Sequence, residues 1–178
     1  MGETRERLRL FCALRLPEPT LDTLVEWQQR ELSAGRILGR EQLHVTLAFL
    51  GSRPADELPA IAAALREASA AAARPTLHTS GYRETRSVGM LVLDDEGDRA
   101  TTLARDLHKR LERLRVYERE RRRWLPHVTV LRFRERPRLR PPLPDLGEFG
   151  PSEAAVYSSV LRPTGARYEV LESVSLGG

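Results

Sequence analysis

"QLHVTL" at residues 42–47 and "LPHVTV" at residues 125–130 carry the same His-Val-Thr in a chain that has only four histidines. Both stretches are short, rich in β-branched and aliphatic residues, and bounded by residues that stop a strand or a helix, so each reads as a β-strand. Side chains alternate along a strand. His44 and Thr46 therefore point to one face and Val45 and Leu47 to the other, and His127 and Thr129 repeat the pattern against Val128 and Val130. Each strand offers an imidazole and a hydroxyl side by side on a polar face, backed by an apolar one. If the two strands lie together or face each other, two imidazoles and two hydroxyls surround one small site.

That set of groups suits a phosphodiester. A neutral imidazole can take the proton of an attacking oxygen and an imidazolium can protonate the leaving one, while hydroxyls and a guanidinium hold the nonbridging oxygens. Zinc chemistry is disfavoured by the same residues: neither tetrapeptide contains Asp, Glu or Cys, and the i, i+2 partner of each histidine is a hydroxyl. No G-x-S-x-G, dinucleotide-binding or P-loop glycine pattern occurs either. His78 and His108 have no partner signal and read as structural histidines. The single cysteine, Cys12, sits in an apolar run and reads as a buried inert thiol.

Outward from the motifs, the elements alternate. "RLRLFCALRL" (7–16) reads as a strand ended by Pro17 and Pro19, followed by a helix with Thr20 as its N-cap and Leu21, Leu24, Val25, Gln28 and Leu32 on one face, Trp27 at its margin. After the first motif strand, ended by Gly51, Asp56 is expected to cap an Ala-rich helix buried through Leu58, Ile61 and Leu65. Strands over 74–84 and 87–95 come next, then a helix marked by Leu103, Leu107, Leu111 and Leu114, then the second motif strand. A Pro-rich stretch at 136–151 must be extended or looped. Strands at 153–161 and 168–176, joined by "RPTGAR", close the chain. The order β α β α β β α β β β predicts an α+β fold with antiparallel sheets.

The 178 residues, 40% of them hydrophobic, suffice for one core or two small lobes, so the span 1–178 is read as a single domain. No run reaches the length of a membrane span, and the charged N-terminus is unlike a secretory signal, which makes the cytoplasm the expectation, and the lack of an exposed heptad or obvious interface in the sequence makes a monomer the expectation. The net charge of +4 conceals an asymmetry: Arg115 to Arg140 holds ten arginines against Glu118, Glu120 and Glu135. The basic segment Arg115–Arg123 precedes the second His-Val-Thr and would attract a polyanion.

Two H-x-T-x motifs 83 positions apart, with "LRLFCALRLP" before the first and "TGARYEVLESVSL" at the end, resemble the 2H phosphoesterase superfamily, specifically its LigT-like branch, the RNA 2′,3′-cyclic phosphodiesterases of the ThpR type. The resemblance runs nearly end to end. It implies a bilobal, pseudo-two-fold fold with antiparallel sheets flanking a central cleft and helices outside. It implies hydrolysis of RNA 2′,3′-cyclic phosphate ends to 2′-phosphates without metal or cofactor, and a reverse reaction that forms 2′-5′ bonds. His44 would be the proton donor and His127 the proton acceptor, although the sequence alone tolerates the opposite assignment. Thr46, Thr129 and Arg132 would bind phosphate, and Phe11 is either a stacking surface for the terminal base or a core residue. Superfamily members act on small cyclic nucleotides, ADP-ribose cyclic phosphate or 2′,5′-oligonucleotides as well, so these remain alternatives, as does a noncatalytic RNA- or nucleotide-binding module. The one lysine, Lys109, belongs to a charged helix and marks no nucleotide-charging motif.

Overall fold

The computed structural model describes residues 4–177. Residues 1–3 and 178, the ends of the expected domain, lie outside the described residues. Among the described residues, eight strands form one antiparallel sheet, and three helices cover it: β1 (Arg7–Arg15), α1 (Glu18–Glu31), β2 (Arg36–Ile37), β3 (His44–Pro54), α2 (Leu58–Ala71), β4 (Leu77–Glu84), β5 (Val88–Asp95), α3 (Arg99–Arg113), β6 (His127–Arg132), β7 (Glu153–Arg162) and β8 (Gly165–Ser175). The order across the sheet is β4-β5-β6-β3-β1-β7-β8, with β2 on the far end of β6.

The two motif strands are central neighbours, and they meet at a single registered pair, Val45 opposite Val128. On one side of this seam stand β4, β5, β6 and β2; on the other stand β3, β1, β7 and β8. The halves are interleaved in sequence, since β2 from the first third of the chain pairs with β6, and β7 and β8 from the end join the half of β1 and β3.

Strand alternation sorts the two faces of the sheet. Leu10, Cys12 and Leu14 of β1 point into the main core with Val45, Leu47, Val128 and Val130, where Leu24, Trp27, Ile61, Leu65, Leu103, Leu107 and Leu111 of the helices meet them. All three helices thus pack on one face. Phe11 and Ala13 point the other way, into a small separate cluster with Ala155 and Tyr157. This second face also carries His44 and Thr46.

Several sequence expectations are corrected. Thr20 is no N-cap: α1 starts three residues earlier than that cap would set, after Pro17, because Pro19 is tolerated in a first turn where its missing N–H has no partner to lose, and Thr20 is buried inside the helix. Asp56 does not cap α2; it lies in a 3₁₀ turn, Ala55–Glu57, that runs into the helix. Trp27 is core, 1% exposed, and its indole N–H donates to the carbonyl of Pro142 at 2.7 Å, which pins the Pro-rich segment to the helix layer. Leu114 falls beyond the end of α3 and is exposed. The two-residue β2 was not foreseen. No helix among the described residues is long and apolar enough to cross a membrane.

Candidate active site

The seam pair determines the geometry. Val45 and Val128 are paired, and the His and Thr that flank each valine lie on either side of that pair. Directly opposed side chains on such strands have Cβ atoms about 5 Å apart. In the first motif the imidazole has its own hydroxyl beside it, with Nε2 of His44 3.0 Å from Oγ1 of Thr46.

Above these strands opens a cavity of about 400 Å³ whose wall includes His44, Thr46, Thr129, Arg132 and Phe11. His127 is not among the residues lining it, but it stands close enough for its charge to lower the pKa of His44. The structure thus gathers five of the six residues singled out from the sequence around one cavity and leaves the sixth beside it.

The two histidines differ in their surroundings. His44 is pushed down to about 4, chiefly by burial; the nearby Gln42 backbone opposes the shift, and the charges of His127 and Arg132 add to it. Its ring is packed among aromatic rings, with centroids at 4.9 Å for Phe11, 5.5 Å for Tyr168 and 5.9 Å for Tyr157. Among the described residues, Nδ1 of His44 has no partner in strict hydrogen-bonding geometry. His127, by contrast, donates Nδ1–H to the carbonyl of Leu125 at 2.8 Å. That bond sets the tautomer and leaves Nε2 as an acceptor.

Phe11 is 3% exposed, and its closest ring neighbours are His44 and Tyr157, both 4.9 Å away. It is a wall behind the imidazole. The aromatic ring that faces the cleft openly is Phe49, half exposed, with the Arg9 guanidinium 5.1 Å from its centroid. Sequence reasoning missed Phe49, and it missed Arg36, which lies on β2 beside Arg132 and lines the same cavity. The adjoining ends of β7 and β8 line the same cavity, held by Gln42, whose amide donates to the carbonyl of Ala166 at 2.7 Å. The basic segment ends at Trp124, whose indole donates to the carbonyl of Thr46 at 3.1 Å, so the segment leads directly to the motif strands.

The remaining reactive groups are accounted for elsewhere. Burial pushes the Cys12 thiol up to about 12, which keeps it protonated. His78 pairs with Asp94 at 3.0 Å on the exposed edge of the sheet. Among the described residues, no group of three or more His, Cys, Asp and Glu side chains converges as a metal site would require.

An antiparallel sheet that joins two His-x-Thr strands at their shared valine, with helices behind and an open cleft in front, is the arrangement of a two-histidine phosphoesterase. The sequence model of the 2′-5′ RNA ligase superfamily matches residues 16–161, and the chain belongs to that superfamily. A Thermus thermophilus protein named RNA 2′,3′-cyclic phosphodiesterase is 35% identical over 96% of this chain and 91% of its own length. A crystal structure of a Thermus thermophilus protein superposes with a TM-score of 0.80 at 32% identity, covering 95% of this chain and 98% of the other. The apo crystal structure of Escherichia coli LigT superposes with a TM-score of 0.81 at 25% identity, covering 97% and 99%. The LigT-like α+β fold expected from the sequence is the fold found.

Proposed function

We propose that the protein hydrolyses RNA 2′,3′-cyclic phosphate ends to 2′-phosphomonoesters, with His44 and His127 as acid and base. The observation that carries this reading is the Val45–Val128 pair at the seam, which brings the two His-x-Thr strands together beside one cavity lined by His44, Thr46, Thr129 and Arg132. A phosphate seated between the strands has an imidazole at each end of an in-line displacement and hydroxyls at its nonbridging oxygens.

His127 suits the base. Its Nδ1–H is committed to Leu125, so Nε2 is free to take a proton from water as that water's oxygen attacks phosphorus. The bond from phosphorus to the 3′ oxygen breaks, and His44 gives its proton to that oxygen. Burial holds His44 neutral in the free protein at neutral pH; the negative charge of a bound phosphodiester raises its proton affinity, so the acid is formed with the substrate in place. Arg132, with Arg36 beside it, neutralises the anion, and Thr46 and Thr129 donate to its oxygens. The scheme uses side chains alone and calls on no metal or cofactor. With a 5′-hydroxyl in place of water as the attacking group, the same two proton transfers form a 2′-5′ bond without nucleotide activation.

The names of the curated relatives support RNA ends over small cyclic nucleotides, and the basic segment leading to Trp124 offers an extended strand somewhere to lie. The protein is read as a cytoplasmic monomer. The test compares kcat/KM, in chelator, for a short RNA with a 2′,3′-cyclic end, for the matching mononucleoside cyclic phosphate and for a 2′,5′-linked oligonucleotide. RNA is expected to lead by tenfold or more. Parity or a preference for a small substrate would favour a nucleotide phosphodiesterase, and binding without turnover of any of them would favour a noncatalytic module.

A further inference from the structure

Each motif strand carries an irregularity at the same place. In β3 the pairing with β1 steps from Ala13–Thr46 to Cys12–Ala48, so Leu47 is an extra residue. In β6 the pairing with β5 steps from Met90–Thr129 to Gly89–Leu131, so Val130 is an extra residue. A one-residue bulge reverses the alternation beyond it. Without a bulge, the face that holds His44 and Thr46 would continue through Ala48; with it, Phe49 faces the cleft. Likewise His127 and Thr129 are followed on the cleft face by Arg132.

Both bulges are held in the same way. The carbonyl of Leu47 accepts a 2.7 Å hydrogen bond from Nε2 of His108, a buried side chain of α3. The carbonyl of Val130 accepts a 2.9 Å bond from Nε2 of Gln28, a side chain of α1 that is 1% exposed and also donates to the Leu38 carbonyl at 3.1 Å, and a 3.2 Å bond from the backbone N–H of Leu38. We propose that Gln28 and His108 are matched positioning residues, each clamping the bulge that turns one side chain, Arg132 or Phe49, into the cleft. Buried carbonyls require donors, and in both halves a helix side chain behind the sheet donates to the bulge carbonyl, at Val130 alongside the backbone N–H of Leu38. His108 is kept neutral by burial, which suits it to a fixed donor role.

This inference rests on the functional reading for Arg132's role with phosphate, and its test reads binding apart from turnover. Affinity for inorganic phosphate is titrated in the full-length protein, in wild type, Gln28→Met, Arg132→Ala and the double variant, with kcat and KM on the cyclic-ended RNA in parallel. Gln28→Met is expected to weaken phosphate about tenfold, as the loss of one charge-assisted contact would, and to change affinity less than twofold in the Arg132→Ala background. Equal losses in both backgrounds, or no loss in Gln28→Met, would overturn the clamp. Should Gln28→Met not fold, Gln28→Asn, one methylene too short to hold both carbonyls, replaces it. In the other half, His108→Leu is expected to raise KM for the RNA and to be silent in a Phe49→Ala background, with His108→Gln restoring the donor and the KM; additive losses there would overturn that half. Phosphate titration decides the Gln28 clamp even if cyclic-ended RNA is not turned over, so the two failures are distinguishable.

Discussion

Replacing Phe11 with alanine should raise the pKa of His44. In the intact protein that imidazole is pushed from 6.5 down to about 4, mainly by burial, and the Phe11 ring packs 4.9 Å from it. Full exposure to water would restore 6.5, but Tyr157 and Tyr168 remain against the ring in the variant. The expected recovery is therefore partial, about one pH unit, or roughly tenfold in proton affinity. The assay is an NMR titration of histidine labelled with ¹³C and ¹⁵N, with the His44 signals among the four histidines assigned by their loss in His44→Gln. Removing a buried phenylalanine costs about 3–5 kcal/mol of stability, so the titration is run only where the variant retains a folded spectrum. Phe49→Ala removes a half-exposed ring and should leave His44 unmoved. The acidic limb of kcat/KM, which reports the free enzyme, should rise with the NMR value. A wild-type His44 titrating near 6.5, or one unchanged by Phe11→Ala, would refute the claim that this aromatic packing depresses it.

Further predictions concern roles, the cleft wall and acid stability. On a cyclic phosphate with sulfur replacing the 3′ bridging oxygen, whose departure needs no proton, His44→Ala should recover most of its lost activity and His127→Ala little; the reverse pattern would exchange the acid and base assignments. Gly165→Ala should lower kcat/KM about tenfold or more, since a Cβ at this positive-φ position would overlap the Arg36 guanidinium and drive it off the cleft; wild-type kinetics would show that Arg36 has no part there. Because His44 binds its proton at about 4 when folded and near 6.5 when unfolded, the unfolded chain binds more protons between those values. Stability is thus fully present above about 6.5 and is lost as pH falls through about 4, by roughly 2 kcal/mol once the ring's partial exposure is allowed for. Urea denaturation at stepped pH should show this loss, and it should shrink in His44→Gln.

The repeated His-Val-Thr was legible because strand alternation is a local property: two residues apart means one face, whatever surrounds the strand. Helix faces were legible for the same reason, as the burial of Leu24, Leu65 and Leu107 illustrates. The bulges at Leu47 and Val130 were not, since an extra residue is defined by the partner strand and leaves no mark in its own sequence. Phe49 was consequently overlooked, and Gln28 and His108 were read as a face residue and a structural histidine with no connection to the site. β2 is too short to show a period, and it brings Arg36 beside Arg132 only through its pairing with β6. Phe11 could be read as stacking surface or core because the sequence does not show which rings pack beside it; in the fold it backs His44.

The most direct test of the central claim is to hydrolyse, in chelator, a short RNA ending in a 2′,3′-cyclic phosphate and to identify which ribose oxygen keeps the phosphate. Two proton-transferring imidazoles around one phosphate, with the 3′ oxygen as leaving group, predict a 2′-phosphate product whose formation is lost in His44→Ala and in His127→Ala. A 3′-phosphate product, or turnover that survives either substitution, would contradict it.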